Sequence, residues 1–234
     1  MSRTTINSDA LAAVYGIADG ATILVGGFGM AGMPTRLIDA LIEQGARNLT
    51  IVSNNAGNGD TGLAALLAAG RVDKVICSFP RQADSHVFDG LYRAGRVALE
   101  VVPQGNLAER IRAAGAGIGA FFCPTGVGTP LTEGKEARTI DGRDYVLEYP
   151  IHGDVALIGA HVGDTAGNLL YRKTARNFGP VMATAAALTI AEVDRVVPAG
   201  EIDPENVVTP GIFVDRILDL SASTTRHIET EVAS

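Results

Sequence analysis

Between Asp19 and Pro34 the chain reads Asp-Gly-Ala-Thr-Ile-Leu-Val-Gly-Gly-Phe-Gly-Met-Ala-Gly-Met-Pro, a short apolar run that empties into a glycine-dense loop. Thr22–Val25 has the composition of a strand buried on both faces, which reads as a continuous apolar run rather than an alternating one. Gly26, Gly27, Gly29 and Gly32 permit positive φ and let another group approach the backbone closely. Pro34 suits a first helical position, and Leu37, Ile38, Leu41 and Ile42 recur at helical spacing. Strand, glycine loop and helix in that order form the unit with which α/β proteins build ligand sites.

Gly27, Gly29 and Gly32 also satisfy the three-glycine dinucleotide pattern. That motif requires the loop to open the helix directly and an acidic residue about twenty positions on for the ribose. Here Pro34 puts the helix start beyond the loop. The next strand, Leu49–Val52, runs into Ser53, Asn54 and Asn55 with no carboxylate in place. A nicotinamide site is the weaker reading, and a turn without a ligand is the other alternative.

Up to Phe122 strands and helices alternate. Strands are expected at 22–25, 49–52, 74–78, 97–102 and 120–123, with helices at 34–43, 62–69, 85–93 and 107–114, closed by Gly45, Gly70, Gly95 and Gly115. This spacing predicts a mostly parallel α/β sheet flanked by helices, with right-handed crossovers. Ligands then gather at the carboxyl ends of the strands, where loops 26–32, 53–59, 79–82 and 103–106 fall. In the second half Asp141-Gly142 and Gly167-Asn168 signal hairpins, and further strands are expected at 155–158, 189–193 and 212–214. No internal boundary or repeat is visible, so residues 1–234 read as one domain, with a frayed polar tail from Ser221.

Glycine is high at 28 of 234 residues, without low-complexity runs, and the formal net charge is −7 with no basic stripe, which disfavours nucleic acid as a partner. No apolar stretch is long enough to span a membrane, and no signal-peptide core stands at the amino terminus. Cys77 and Cys123 adjoin apolar strand-like runs, which suits reduced thiols in a cytoplasmic protein. His86, His152, His161 and His227 lack metal-ligand spacing, so no metal site is expected. There is no Gly-x-Ser-x-Gly elbow for a hydrolase of that type. The site-like positions are neutral amides: Asn54, Asn55, Asn58, Gln82, Gln104 and Asn106. Their N–H groups can steady a developing oxyanion, although Asn54 and Asn55 also suit a plain turn. A rim of amides and glycines without a nucleophile reads as half of a site.

The stretch Asp19–Pro34 matches the first signature of CoA-transferases position by position. Ser53–Gly57, Val102–Gly105 with Leu107–Arg110, Lys135-Glu136, Gly163-Asp164, Gly167–Leu169 with Tyr171-Arg172, and Thr209–Phe213 follow the same family. Over nearly its whole length the chain resembles the A (alpha) subunits of two-subunit 3-oxoacid CoA-transferases. The resemblance implies the CoA-transferase (NagB/RpiA-like) fold, with CoA thioesters as substrates and no permanently bound cofactor. It further implies a B-subunit partner in an A2B2 heterotetramer.

By the same resemblance, a glutamate attacks the thioester of succinyl-CoA, passes through an acyl anhydride and holds CoA as an enzyme thioester. That glutamate sits in a Ser-Glu-Asn-Gly motif of the B subunit, and no such motif occurs here. Glu43, Glu100, Glu109 and Glu136 therefore read as surface or structural. Gly26, Gly27, Phe28, Gly29, Met30, Ala31 and Gly32 become the CoA-contacting loop, while Asn54, Asn55 and Gln104 surround the reacting thioester, with Gln104 as oxyanion support. The stretches Ser53–Gly59 and Cys77–Gln82, with a short segment before the hairpin, favour 3-oxoadipate over acetoacetate as acceptor. Such an acceptor carries a second carboxylate, for which Arg81 is a candidate cation unless it is solvated or paired with Asp84. Outside this class stand a nicotinamide-linked oxidoreductase and a non-catalytic metabolite-sensing domain.

Overall fold

The structure, a computed structural model, describes residues 4–222. The first half comprises β1 (Thr5–Asn7), α1 (Ala10–Val14), β2 (Thr22–Val25), α2 (Thr35–Gln44), β3 (Leu49–Val52), α3 (Leu63–Ala68), β4 (Val72–Cys77), α4 (His86–Arg93), β5 (Ala98–Val101) and α5 (Gln104–Gly115). The second comprises β6 (Phe121–Cys123), β7 (Ala137–Ile140), β8 (Arg143–Glu148), β9 (Gly153–Asp164), β10 (Leu169–Leu170), α6 (Gly179–Thr184), β11 (Ala186–Val197) and β12 (Arg216–Asp219). The main sheet runs β1-β12-β11-β9-β2-β3-β4-β5, and every one of these neighbours is parallel. Only β10 is antiparallel, folding back on the end of β9 through the Gly167-Asn168 turn.

The central strands bury apolar residues on both faces because both faces are covered. Ile23, Ile51 and Val75 pack with α1–α4 residues such as Leu37, Ile38, Leu41, Leu66 and Leu67. Their chain neighbours Leu24, Val52 and Ile76 point the other way, into a second core with Leu107 and Ile111 of α5 and Met182 of α6. Side chains alternate across a strand, so two consecutive apolar residues serve two cores. Each fully buried Leu or Ile contributes roughly 1.5–3 kcal/mol by removal of apolar area from water.

A second, antiparallel sheet of order β6-β8-β7 stands apart from the main one. Its hairpin closes through Asp141 (φ 50°) and Gly142 (φ 76°), the double left-handed geometry of a type I′ turn.

The expected first-half strands and helices are all present, with ends shifted by a few residues. Three details differ. Pro34 precedes α2 as its N-cap rather than opening it. Helix α5 begins at Gln104 and absorbs Gly115, leaving the left-handed position to Gly117 (φ 70°). The strand expected at 212–214 is a 3-10 turn, Gly211–Phe213, and pairing alongside β11 begins only at Arg216. The short β1 and α1 carry too little periodic signal to be read from the sequence. His227 and the tail beyond Ala222 lie outside the described residues.

Candidate functional site

The chain builds β2, β3, β4 and β5 outward in one direction and β9, β11 and β12 in the other, so the order reverses between β2 and β9. Crevices at the carboxyl ends of strands beside such a reversal are where parallel α/β sheets bind ligands. The loop leaving β2 at that point is Gly26–Gly32.

Two backbone bonds, Phe28 N–H to Ala31 O (3.0 Å) and Ala31 N–H to Phe28 O (3.2 Å), close this loop into a tight reverse turn. Phe28 and Met30 are left 52% and 59% exposed. The turn is bolted down by a residue 150 positions away: Gly27 N–H donates to Asn177 Oδ1 (3.1 Å), and Asn177 Nδ2 donates to Ala31 O (2.9 Å). Gly32, at φ 76°, lies so close to the 3-10 turn Lys173–Arg176 that a Cβ there would stand 2.6 Å from Ala175 O. From β9, a Cβ on Gly159 would meet Gly32 O at 2.7 Å. Sequence reasoning missed Asn177. An asparagine before Phe-Gly-Pro signals only a helix start, and its partners are remote in the chain.

The amides gather as expected, in the loops after β3 and β4 and at the start of α5. Asn54 is 2% exposed, and its Oδ1 accepts from Gln104 Nε2 (2.7 Å) and Ser78 Oγ (2.9 Å). Gln104 itself is exposed, and its Nε2 keeps a second hydrogen for an incoming oxygen. Asn55 Oδ1 is taken by Gly57 N–H (2.9 Å), while Asn55 Nδ2 and Ser53 Oγ are buried without a partner. Asn58 Nδ2 bonds Gln82 Oε1, joining the loops after β3 and β4.

The second amide of α5, Asn106, anchors that helix. Its Nδ2 donates to Glu148 Oε1 (3.2 Å), and its Oδ1 accepts from the Cys123 thiol (3.2 Å). Glu148, 2% exposed, also holds Lys135 Nζ at 2.7 Å, with Arg110 Nε at 3.8 Å. The small sheet thus grips the first turns of α5, and with them Gln104.

A buried carboxyl stands behind the glycine loop. Glu192 of β11 accepts from Leu37 N–H (3.0 Å) in the first turn of α2, supplying across the fold the cap that Pro34 cannot. Burial pushes its carboxyl up to about 7, only partly offset by the Leu37 and Arg36 amides and the Arg36 charge. The folded protein therefore holds a proton here that the unfolded chain releases near 4.5, so stability falls as pH rises between about 4.5 and 7 and then levels. The contribution is bounded at about 3 kcal/mol by linkage. Urea midpoints for Glu192→Gln should lose that slope; a variant retaining the wild-type profile would assign it elsewhere.

Arg81 lies after β4 with its Nε on Asp89 Oδ1 at 2.8 Å, and its side chain is 58% exposed. Asp84 instead holds His86 Nδ1 (3.1 Å). Cys77 and Cys123 are free thiols. Burial pushes Cys77 up to about 12, which leaves it unreactive. Among the described residues no group of His, Cys, Asp and Glu could hold a metal ion, and no helix is long and apolar enough to cross a membrane.

A parallel sheet with a glycine loop at its reversal point and a rim of amides is the architecture of a ligand-binding α/β protein, and its relatives say which kind. Residues 8–220 match the Coenzyme A transferase family model, and the chain belongs to that family. It is 69% identical over 216 residues to the A subunit of 3-oxoadipate CoA-transferase from Pseudomonas putida, covering 92% of this chain and 94% of that one. Identity to the A subunit of the probable succinyl-CoA:3-ketoacid coenzyme A transferase from Bacillus subtilis is 50% over 213 residues, 91% of this chain and 88% of the other. The crystal structure of the acyl-CoA transferase YdiF from Escherichia coli O157:H7 superposes with a TM-score of 0.80 at 26% identity. It covers 92% of this chain, but this chain spans only 46% of YdiF.

Proposed function

We propose that this chain is the A subunit of a CoA-transferase that moves CoA from succinyl-CoA to 3-oxoadipate, releasing succinate, in the catabolism of aromatic compounds by way of 3-oxoadipate. The observation that carries the reading is the Ser78–Asn54–Gln104 amide cluster beside a glycine loop, in a chain 69% identical to the A subunit of a 3-oxoadipate CoA-transferase. The 50% identical succinyl-CoA:3-ketoacid relative supports acetoacetate as the second reading for the acceptor.

A partner B subunit supplies the attacking glutamate, in an A2B2 assembly working in the cytoplasm. The relative's designation as an A subunit supports a two-chain site, as does the match to only 46% of the YdiF chain. Glu192, the buried carboxyl behind the loop, is committed to the α2 amides.

The partner's carboxylate adds to the succinyl thioester carbonyl and expels CoA thiolate, leaving a mixed anhydride. The thiolate then attacks the glutamyl carbonyl of that anhydride, releasing succinate and leaving CoA on the enzyme. The acceptor carboxylate reverses the sequence. Every addition passes through an oxyanion, and the unspent Gln104 N–H is the donor this chain offers to it, oriented by Asn54. CoA thioesters are thus substrates, and the Gly26–Gly32 loop with Phe28 forms the wall against which they lie.

Co-expression with its partner, followed by assay of succinyl-CoA against 3-oxoadipate and acetoacetate, tests the assignment. Transfer to 3-oxoadipate is expected to dominate, and this chain alone is expected to transfer nothing. CoA trapped on one of its own glutamates would overturn the division of labour. A rise in melting temperature with NAD would instead revive a nicotinamide site.

A further inference from the structure

The 3-10 turn clamped against the glycine loop carries Arg172, Lys173 and Arg176, all exposed, in a chain whose net charge is −7. Several cations elsewhere in the fold stand in ion pairs: Arg81 with Asp89, Arg112 with Glu109, Arg138 with Glu136, Lys135 with Glu148. Among the described residues, none of the three cations on this turn stands in an ion pair or donates a side-chain hydrogen bond. The nearby Asp194 is occupied by His161 Nδ1 at 2.7 Å.

Lys173 is held at φ 52°, a left-handed conformation in which a residue with a long side chain costs free energy on the order of 1 kcal/mol or more. Lys173, Thr174, Arg176 and Asn177 line an open cavity of about 590 Å³ whose other wall is Phe28. The cations are fixed relative to the loop, because Asn177 bonds Gly27 and Ala31 while Gly32 abuts Ala175.

We infer that Lys173 and Arg176, flanked by Arg172, receive the distal carboxylate of dicarboxylic acyl groups and so set the enzyme's preference for them over monocarboxylic 3-oxoacids. The inference rests on the CoA-transferase reading above. Succinyl and 3-oxoadipyl groups both end in a carboxylate one short acyl chain from the thioester carbonyl, so one anion receptor beside the glycine loop serves donor and acceptor alike. CoA's phosphates, by contrast, lie across the whole pantetheine arm from the reacting carbon. Unneutralised guanidinium and ammonium groups beside an apolar wall give charge-assisted bonds to such a carboxylate.

The test uses the co-expressed complex and the variants Lys173→Gly and Arg176→Gln. Glycine removes the ammonium while keeping the left-handed backbone at ease, which protects folding. In a covalent relay kcat/KM for the acceptor does not depend on the donor, so it is compared for 3-oxoadipate and acetoacetate. Each variant should lower the 3-oxoadipate-to-acetoacetate ratio by roughly tenfold or more, the size of one lost charge-assisted bond. Succinate should also raise the melting temperature of the wild-type complex more than acetate does, and this difference should vanish in the variants.

Equal losses for both acceptors, or a loss that tracks CoA against dephospho-CoA, would overturn the inference and assign the turn to the cofactor moiety. If the wild-type complex transfers CoA to neither acceptor, the functional reading itself fails, which is a different result. Melting of each variant complex within a few degrees of wild type identifies any loss as recognition rather than misfolding.

Discussion

Replacing Gln104 by alanine in the co-expressed complex should lower kcat and kcat/KM together, by about 10²-fold, with the fold intact. Removing one preorganised oxyanion donor typically costs about 2.7–4 kcal/mol of transition-state stabilisation. Loss expressed equally in both constants marks an interaction made only in the transition state. Gln104 is exposed and bonded only to Asn54 Oδ1, so truncation should change stability by no more than about 0.5 kcal/mol. Asn54→Ala should cost turnover too, by freeing Gln104 to rotate. Because the two act as one unit, the double variant should be little worse than the worse single. Turnover of Gln104→Ala within a factor of two of wild type would remove the donor role, and additive losses would remove the coupling.

Gly32→Ala should be the most damaging single methyl in the loop. The backbone at φ 76° strains any L side chain by roughly 1–2 kcal/mol, and the new Cβ, 2.6 Å from Ala175 O, forces the Lys173–Arg176 turn outward at a further cost of about 1–3 kcal/mol. For a chain of this length each kcal/mol lowers Tm by about 2–4 °C. Catalysis should suffer more, since a shift of about 1 Å in groups that position substrate can cost about 10²-fold. Gly29→Ala is the control: its φ is 59°, but its Cβ would meet nothing within 4 Å, so only the backbone strain applies. Equal Tm and turnover for the two variants would show that the close approach of the 3-10 turn does not matter.

How far the sequence carried depends on how local each signal is. The runs Thr22–Val25 and Leu49–Val52 were legible because burial on both faces makes three of four consecutive residues apolar and admits only a β-prone threonine, and the structure has them with the same bounds. The Asp141-Gly142 hairpin was legible because few residue pairs adopt two successive left-handed conformations. The loops carrying Asn54, Asn58, Gln82 and Gln104 were placed on one rim from the parallel topology alone, and the bonds among them bear that out. The strand expected at 212–214 failed for the opposite reason. Ile-Phe-Val has strand propensity, but at Gly211–Phe213 the packing against Ala166 and Gly167 bends the chain into a 3-10 turn.

By itself the sequence determined the parallel α/β architecture, the position of the glycine loop and the amide character of the rim, all properties of contiguous residues whose physics is complete within one strand, turn or helix. Only the tertiary structure decided that Asn177 ties Gly27 to Ala31, that Glu192 caps α2, that Glu148 and Asn106 brace the helix carrying Gln104, and that two cations without an ion pair, Lys173 and Arg176, stand beside Phe28. Each of these joins groups distant in the chain. Contacts of that kind exist only once both cores have closed and fixed the strand order, and a linear pattern of residues cannot encode their distances.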